Sequence, residues 1–136
     1  MAEAGTAARD GDVQFFTADA SSAFGAALRL LDRPDRPTAV YATTDFAAIA
    51  AVNAAHRLGL SVPDDVAVVG AGNADDCERL RPTLTSVGPT GFFTGLADLM
   101  VRIAKDPAGN EPRRHDYPWT LHQRESTDTD QTGTSR

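Results

Sequence analysis

Apolar residues follow two different rhythms along this chain. Thr38 to Ala42 (TAVYA) and Val66 to Gly70 (VAVVG) are apolar runs without polar alternation, the pattern of strands covered on both faces in a parallel sheet. Between them Asp45 is placed to cap a helix that runs to about Leu58 and ends at Gly59, a residue that readily takes the left-handed C-terminal conformation. Pro63, Asp64 and Asp65 supply the turn into the second strand. Strand, helix and strand in this order require a right-handed crossover, so Thr38 to Gly72 is predicted to be a βαβ unit.

The flanks extend the same alternation. Val13 to Thr17 is a short apolar run, after which Asp19 caps a helix with Phe24, Ala27, Leu28 and Leu31 on one side; Pro34 and Pro37 stop it. Beyond Ala71 to Asp76, Cys77 to Leu80 has room for about one helical turn before Pro82, and Leu84 to Val87 is a short third strand. Pro89 is expected to open the longest helix, which lasts to about Lys105. Its stripe is Phe92, Leu96, Leu99 and Ile103, widened by Phe93 and Met100, with Asp98 and Arg102 opposite. Asp106 to Arg114 is a polar loop, and Asp116 to Arg124 holds one more strand around Trp119 and Leu121. Residues 1–12 and 125–136 are small and polar and are expected to be disordered, which leaves 13–124 as the organised region.

The helix inside the βαβ unit has an unusual wheel. Ala47, Ala50, Ala51, Ala54 and Leu58 cluster on one side, small enough to sit close on a sheet. Phe46 and Ile49 lie away from that side, near Asn53 and His56, and require a different cover.

Charge and cysteine content narrow the possible functions. Among 136 residues, 13 basic side chains face 19 acidic ones, a formal charge of -6 that repels nucleic acid phosphate, so direct DNA contact by this chain is not expected. Cys77 is the only cysteine, which rules out an internal disulfide and a cysteine-based zinc site and suits a reducing compartment. Residues 1–12 contain no apolar signal region and no run approaches membrane-spanning length, so a cytoplasmic protein without membrane contact is expected.

Open parallel sheets bind ligands beyond the carboxyl ends of their strands, here Thr43 to Asp45 and Ala71 to Asn73. Gly70-Ala71-Gly72-Asn73-Ala74-Asp75 begins like a dinucleotide fingerprint, but Asp75 stands where a third Gly or Ala belongs, and Pro82 cuts short the following helix. A nucleotide-binding α/β enzyme is therefore an alternative that rests on Gly70 and Gly72 alone. Asp75, Asp76 and Glu78 lack the alternation and central Gly of a calcium loop, and His56, His115 and His122 match neither zinc nor triad spacing. No acid, base or nucleophile is nominated. A non-enzyme without metal or cofactor is expected.

Six linked stretches carry a resemblance. They are Arg36-Pro37-Thr38-Ala39-Val40, Ala42-Thr43-Thr44-Asp45, Leu58-Gly59-Leu60, Val62-Pro63-Asp64-Asp65-Val66, Val68-Val69-Gly70 and Arg81-Pro82-Thr83-Leu84-Thr85. With the ending Arg124-Glu125-Ser126-Thr127, their order and gaps resemble the lactose-repressor (LacI/GalR) family of bacterial transcriptional regulators. Val13 to Thr127 lies along the C-terminal portion of that family's effector-binding domain. The resemblance implies an α/β fold, a partial three-layer αβα parallel sheet belonging to a two-lobed periplasmic-binding-protein type I-like domain. In that fold a sugar or other small effector, here sugar or nucleoside-like, binds between lobes and alters DNA affinity of an N-terminal helix-turn-helix. Neither that head nor the N-terminal lobe is covered, so a regulator fragment is expected, with a non-functional truncated gene product as the other outcome.

Position by position, the resemblance implies an effector pocket at Phe16, Thr44, Asp45, Gly72 and Asn73. Many members carry Asn then Asp after the first strand, where this chain has Thr44 then Asp45. Many also read ligand hydroxyls with an Asp at the position of Gly72, next to Asn73. Phe46, Ile49, Asn53 and His56 fall on the helix that such repressors use for dimer contact, which implies a homodimer. In the family, the helix matching Pro89 to Lys105 packs into the N-terminal lobe.

Overall fold

A computed structural model describes residues 9, 11–107, 109 and 116–129. The elements in order are α1 (Ala20–Leu31), β1 (Ala39–Tyr41), α2 (Asp45–Arg57), β2 (Ala67–Ala71), α3 (Asp76–Arg79), β3 (Thr85–Pro89), α4 (Phe92–Lys105) and β4 (Trp119–His122), followed by a 3-10 turn at Glu125–Thr127. The strands form one sheet in the order β1-β2-β3-β4. β1, β2 and β3 run parallel, with Val40 beside Val68 and Gly70 beside Ser86; β4 is antiparallel to β3, with Leu121 opposite Val87.

Side chains alternate across a strand, so this register places Val40, Val68, Gly70 and Ser86 on one face. That face meets α2. Ala48, Val52 and Ala55 of the helix are fully buried with Val66, Val68, Cys77 and Leu84, while Ala27 and Leu31 of α1 join the same cluster. Alanines at so many helix positions let α2 lie close to the strands and to α1 together, a tighter seat than larger side chains permit. Tyr41, Leu121 and Trp119, on the opposite face by the same alternation, are exposed. The expected α/β class is therefore present as a mostly parallel sheet, with its close-packed helical layer on one side among the described residues.

Several expectations are corrected. Thr44, not Asp45, is the N-cap of α2: its Oγ1 accepts the Ala47 N–H at 3.2 Å, and Asp45 sits inside the first turn. Pro89 does not open α4. It ends β3 opposite Trp119, and α4 starts at Phe92 after Gly91, whose φ of 67° breaks the chain direction. The sheet gains an antiparallel strand at β4.

The terminal boundaries also shift. Glu125 to Thr127, expected to open a disordered tail, are packed against the sheet, and Ser126 is fully buried. Its hydroxyl donates to the Val68 carbonyl at 2.6 Å and accepts the Thr85 N–H at 2.9 Å, so it satisfies backbone groups of two adjacent strands. Within residues 1–12, Asp12 is ion-paired with Arg33. The remainder of residues 1–12 except Arg9 and Gly11, and His115, lie outside the described residues.

On α4 only Leu99 of the apolar stripe is buried, while Phe93 and Met100 are 70% and 63% exposed. Its first turn is held by the Phe92 ring, edge-on to Tyr117 at 5.0 Å.

Candidate functional site

The carboxyl ends of β1 and β2 are joined through Asp45. This side chain is drawn under the loop after β2, where Oδ2 accepts the Ala74 N–H at 2.8 Å and Oδ1 accepts the Ser86 hydroxyl at 2.5 Å; the residue is 4% exposed. Two glycines make room for it. A Cβ at Gly70 would collide with Oδ1, and one at Gly72 would stand 3.0 Å from Oδ2. Gly72 also has φ 128°, a conformation that side chains disfavour.

Asn73 follows in the left-handed region at φ 54°, which Asn tolerates better than most residues. Its N–H donates to Ser86 Oγ at 3.0 Å and its Oδ1 accepts from Arg124 Nη2 at 2.8 Å. Arg124 is anchored in turn by Nη1 donating to the Leu84 carbonyl at 2.8 Å. The result is one hydrogen-bonded path from the start of α2, through Ser86 and Asn73, to the residue that precedes the 3-10 turn.

Of the residues nominated from the sequence, Thr44, Asp45, Gly72 and Asn73 thus lie at one corner of the sheet. Thr44 and Gly72 are exposed there, while Asn73 faces a polar recess of about 220 Å³ shared with Asp75, Glu78, Arg79 and Arg124. Phe16 stands apart. It lines a largely apolar cavity of about 290 Å³ with Val13, Ala23, Leu30, Val40 and Thr43, beside the free edge of β1. Thr43 is the link between that cavity and the corner.

The outer face of α2 lies beside a groove of about 380 Å³, where Phe46, Ile49 and Asn53 meet Phe24 and Ala20 of α1. His56 is exposed one turn further on. Cys77 is fully buried, and burial, followed by the nearby Asp45 carboxylate, pushes its thiol up to about 11. His122 Nε2 lies 3.2 Å from the Gly88 carbonyl and 3.1 Å from Thr120 Oγ1. Among the described residues no group of three or more His, Cys, Asp or Glu side chains could hold a metal ion.

The dinucleotide alternative meets a physical obstacle at this corner. A pyrophosphate needs a helix N-terminus behind the glycines, yet α3 has 4 residues and the Asp45 carboxylate occupies the space beside Gly70 and Gly72. Three participants were not nominated from the sequence: Ser86, Arg124 and Ser126. Only the Arg-Glu-Ser-Thr ending carried any signal for the last two.

A crossover sheet with its polar loops gathered at the carboxyl ends of adjacent strands is the architecture of a small-molecule-binding α/β domain. The chain belongs to the periplasmic binding protein-like domain family, which it matches over residues 2–127, and within it to the effector-binding domains of LacI/GalR regulators. It is 35% identical over 97 residues to the HTH-type transcriptional repressor PurR of Escherichia coli, covering 66% of this chain and 28% of that protein. A LacI-family transcriptional regulator from Sanguibacter keddieii superposes with a TM-score of 0.72 at 34% identity, over 93% of this chain and 49% of that one. The transcriptional regulator CelR in complex with cellobiose gives a TM-score of 0.70 at 33% identity, over 92% and 38% respectively. The chain therefore spans less than half the length of each of these relatives. All three of these relatives are transcriptional regulators. No helix among the described residues is long and apolar enough to cross a membrane.

Proposed function

We propose that this chain is the C-terminal portion of the effector-binding domain of a LacI-type regulator and takes a small, sugar-like molecule at the ends of β1 and β2. The observation that carries this is the joining of the two loops by Asp45, whose carboxylate accepts the Ala74 N–H and lies against Gly72, with the exposed Thr44 immediately before it in the chain. The site comprises Thr44, Asp45, Gly72 and Asn73 at this corner, together with Phe16 in the adjoining apolar cavity that Thr43 also lines. Thr44 Oγ1 is used as an acceptor in the α2 cap, so its O–H remains to donate to a ligand oxygen. Phe16 supplies an apolar wall of the kind on which a sugar face packs.

The outer face of α2, with Phe46, Ile49, Asn53 and His56, is the surface for a second copy of the chain. DNA contact belongs to a helix-turn-helix domain and not to this chain, whose formal charge is -6. The cell interior is the matching location.

A thermal-shift panel of cellobiose, ribose and nucleosides, followed by calorimetry on any hit, tests the pocket, and sedimentation tests the dimer. A rise in melting temperature with one class is expected. A folded chain that responds to no member, or that shifts a defined DNA site at physiological salt, sinks this function.

A further inference from the structure

We propose that Arg124 and Ser86 are positioning residues that set the loop Ala71 to Asp75 before any effector arrives, and that Asp45 and Asn73 act through this frame instead of touching the ligand. The proposal rests on the effector-site function above and assigns its parts. Direct contact is left to Thr44 and Gly72, which are exposed, and to Phe16.

The chemistry of each partner supports this assignment. Guanidinium has donors and no acceptor, so the Asn73 amide must turn its Oδ1 toward Arg124 Nη2, at 2.8 Å, which fixes the orientation of the side chain and engages one of the two lone pairs of that oxygen. Arg124 cannot drift with its partner, because its Nη1 holds the Leu84 carbonyl and its N–H donates to Thr85 Oγ1 at 2.8 Å. Ser86 is equally committed, accepting from the Asn73 N–H while donating to Asp45 Oδ1. Asp45, at 4% exposure with the Ala74 N–H on its other oxygen, has no face to offer a solute. Backbone at φ 128° and 54° in consecutive residues is held on both sides by these bonds. A planar fork that bonds two acceptors at once is a property of Arg that Lys does not reproduce.

Three variants separate positioning from contact. Asn73→Asp keeps an acceptor for Arg124 and tolerates the left-handed backbone, but abolishes the amide donor. It is expected to retain the carbon chemical shifts and HN–Hα coupling that report a positive φ at residue 73, and to bind the panel hit within about twofold of the parent. Asn73→Ala and Arg124→Met are expected to lose that signature and to weaken the hit by about tenfold or more, the order expected for a lost charge-assisted bond. Ser86→Ala is expected to do the same at lower amplitude. If Asn73→Asp abolishes binding while the positive-φ signature persists, Asn73 touches the ligand and the proposal fails. If Arg124→Met stays folded and leaves the residue 73 signals unchanged, it also fails. Should the parent bind no member of the panel, the effector function fails by itself, and the spectroscopic arm still decides the frame.

Discussion

Gly70 of β2 faces the Asp45 carboxylate so closely that a methyl group on its Cα would overlap Oδ1 and approach the Ala48 Cβ to 3.1 Å. The β2 backbone is ordinary extended strand here, so the demand for glycine is one of space, not of conformation. Gly70→Ala is expected to destabilise the chain by about 1–3 kcal/mol, the cost of overpacking, because the neighbours are a pinned carboxylate and a helix wall with no slack. Urea unfolding checks this. A variant as stable as the parent would mean that α2 can shift off the sheet.

Ser126 offers a complementary test by deletion. Its single hydroxyl serves the Val68 carbonyl and the Thr85 N–H, both buried. Ser126→Ala leaves two backbone groups without partners, and a loss of about 2–4 kcal/mol is expected from the cost of unsatisfied buried polar groups. Chemical denaturation should show the loss as a lower midpoint at unchanged slope.

Part of the acid response is assigned to the α1 cap. The Ser21 hydroxyl, then the Thr17 hydroxyl and the Ser22 N–H, stabilise the Asp19 carboxylate and hold it at about 2, below the ordinary 3.8. A depressed folded-state value means that the stabilisation is fully present above 3.8 and fades as the pH falls through about 2. The melting-temperature difference between the parent and Asp19→Ala should therefore shrink across that window. A difference that stays constant there would assign the cap's contribution to something other than its charge.

Cys77 should report global opening. Its thiol is fully buried and raised to about 11, so native protein at about pH 8 presents almost no thiolate to a disulfide reagent. Labelling is expected to be slow and to accelerate in step with unfolding as denaturant is added. Stoichiometric labelling within the mixing time in native buffer would contradict the packing of α3 on the core.

What the sequence disclosed and what it withheld divide along the range of the interactions. TAVYA and VAVVG announce β1 and β2 because a short uninterrupted apolar run is a local strand signal, but the two-sided cover it implies is not met at β1, where Tyr41 is exposed; the LacI-type stretches then supply the topology. Asp45 is visible as an N-terminal residue of α2, but not as an inner-turn carboxylate, since its partners Ala74 and Ser86 are 29 and 41 positions away. Pro89 fits the first turn of a helix as well as the end of β3, and the tie is broken by pairing with Trp119 far along the chain. Arg124 and Ser126 lie where composition turns polar, and composition cannot register that one hydroxyl closes a seam between strands.

That seam constrains the order of assembly during translation. β2 and β3 are synthesised before the residue that seals them: the groups of Val68 and Thr85 that face each other across the gap wait for Ser126, 58 and 41 residues further on. A nascent chain halted on the ribosome before that serine emerges has a βαβ unit with an unsealed joint, and protease susceptibility between β2 and β3 should fall abruptly once residues 124–127 leave the exit tunnel.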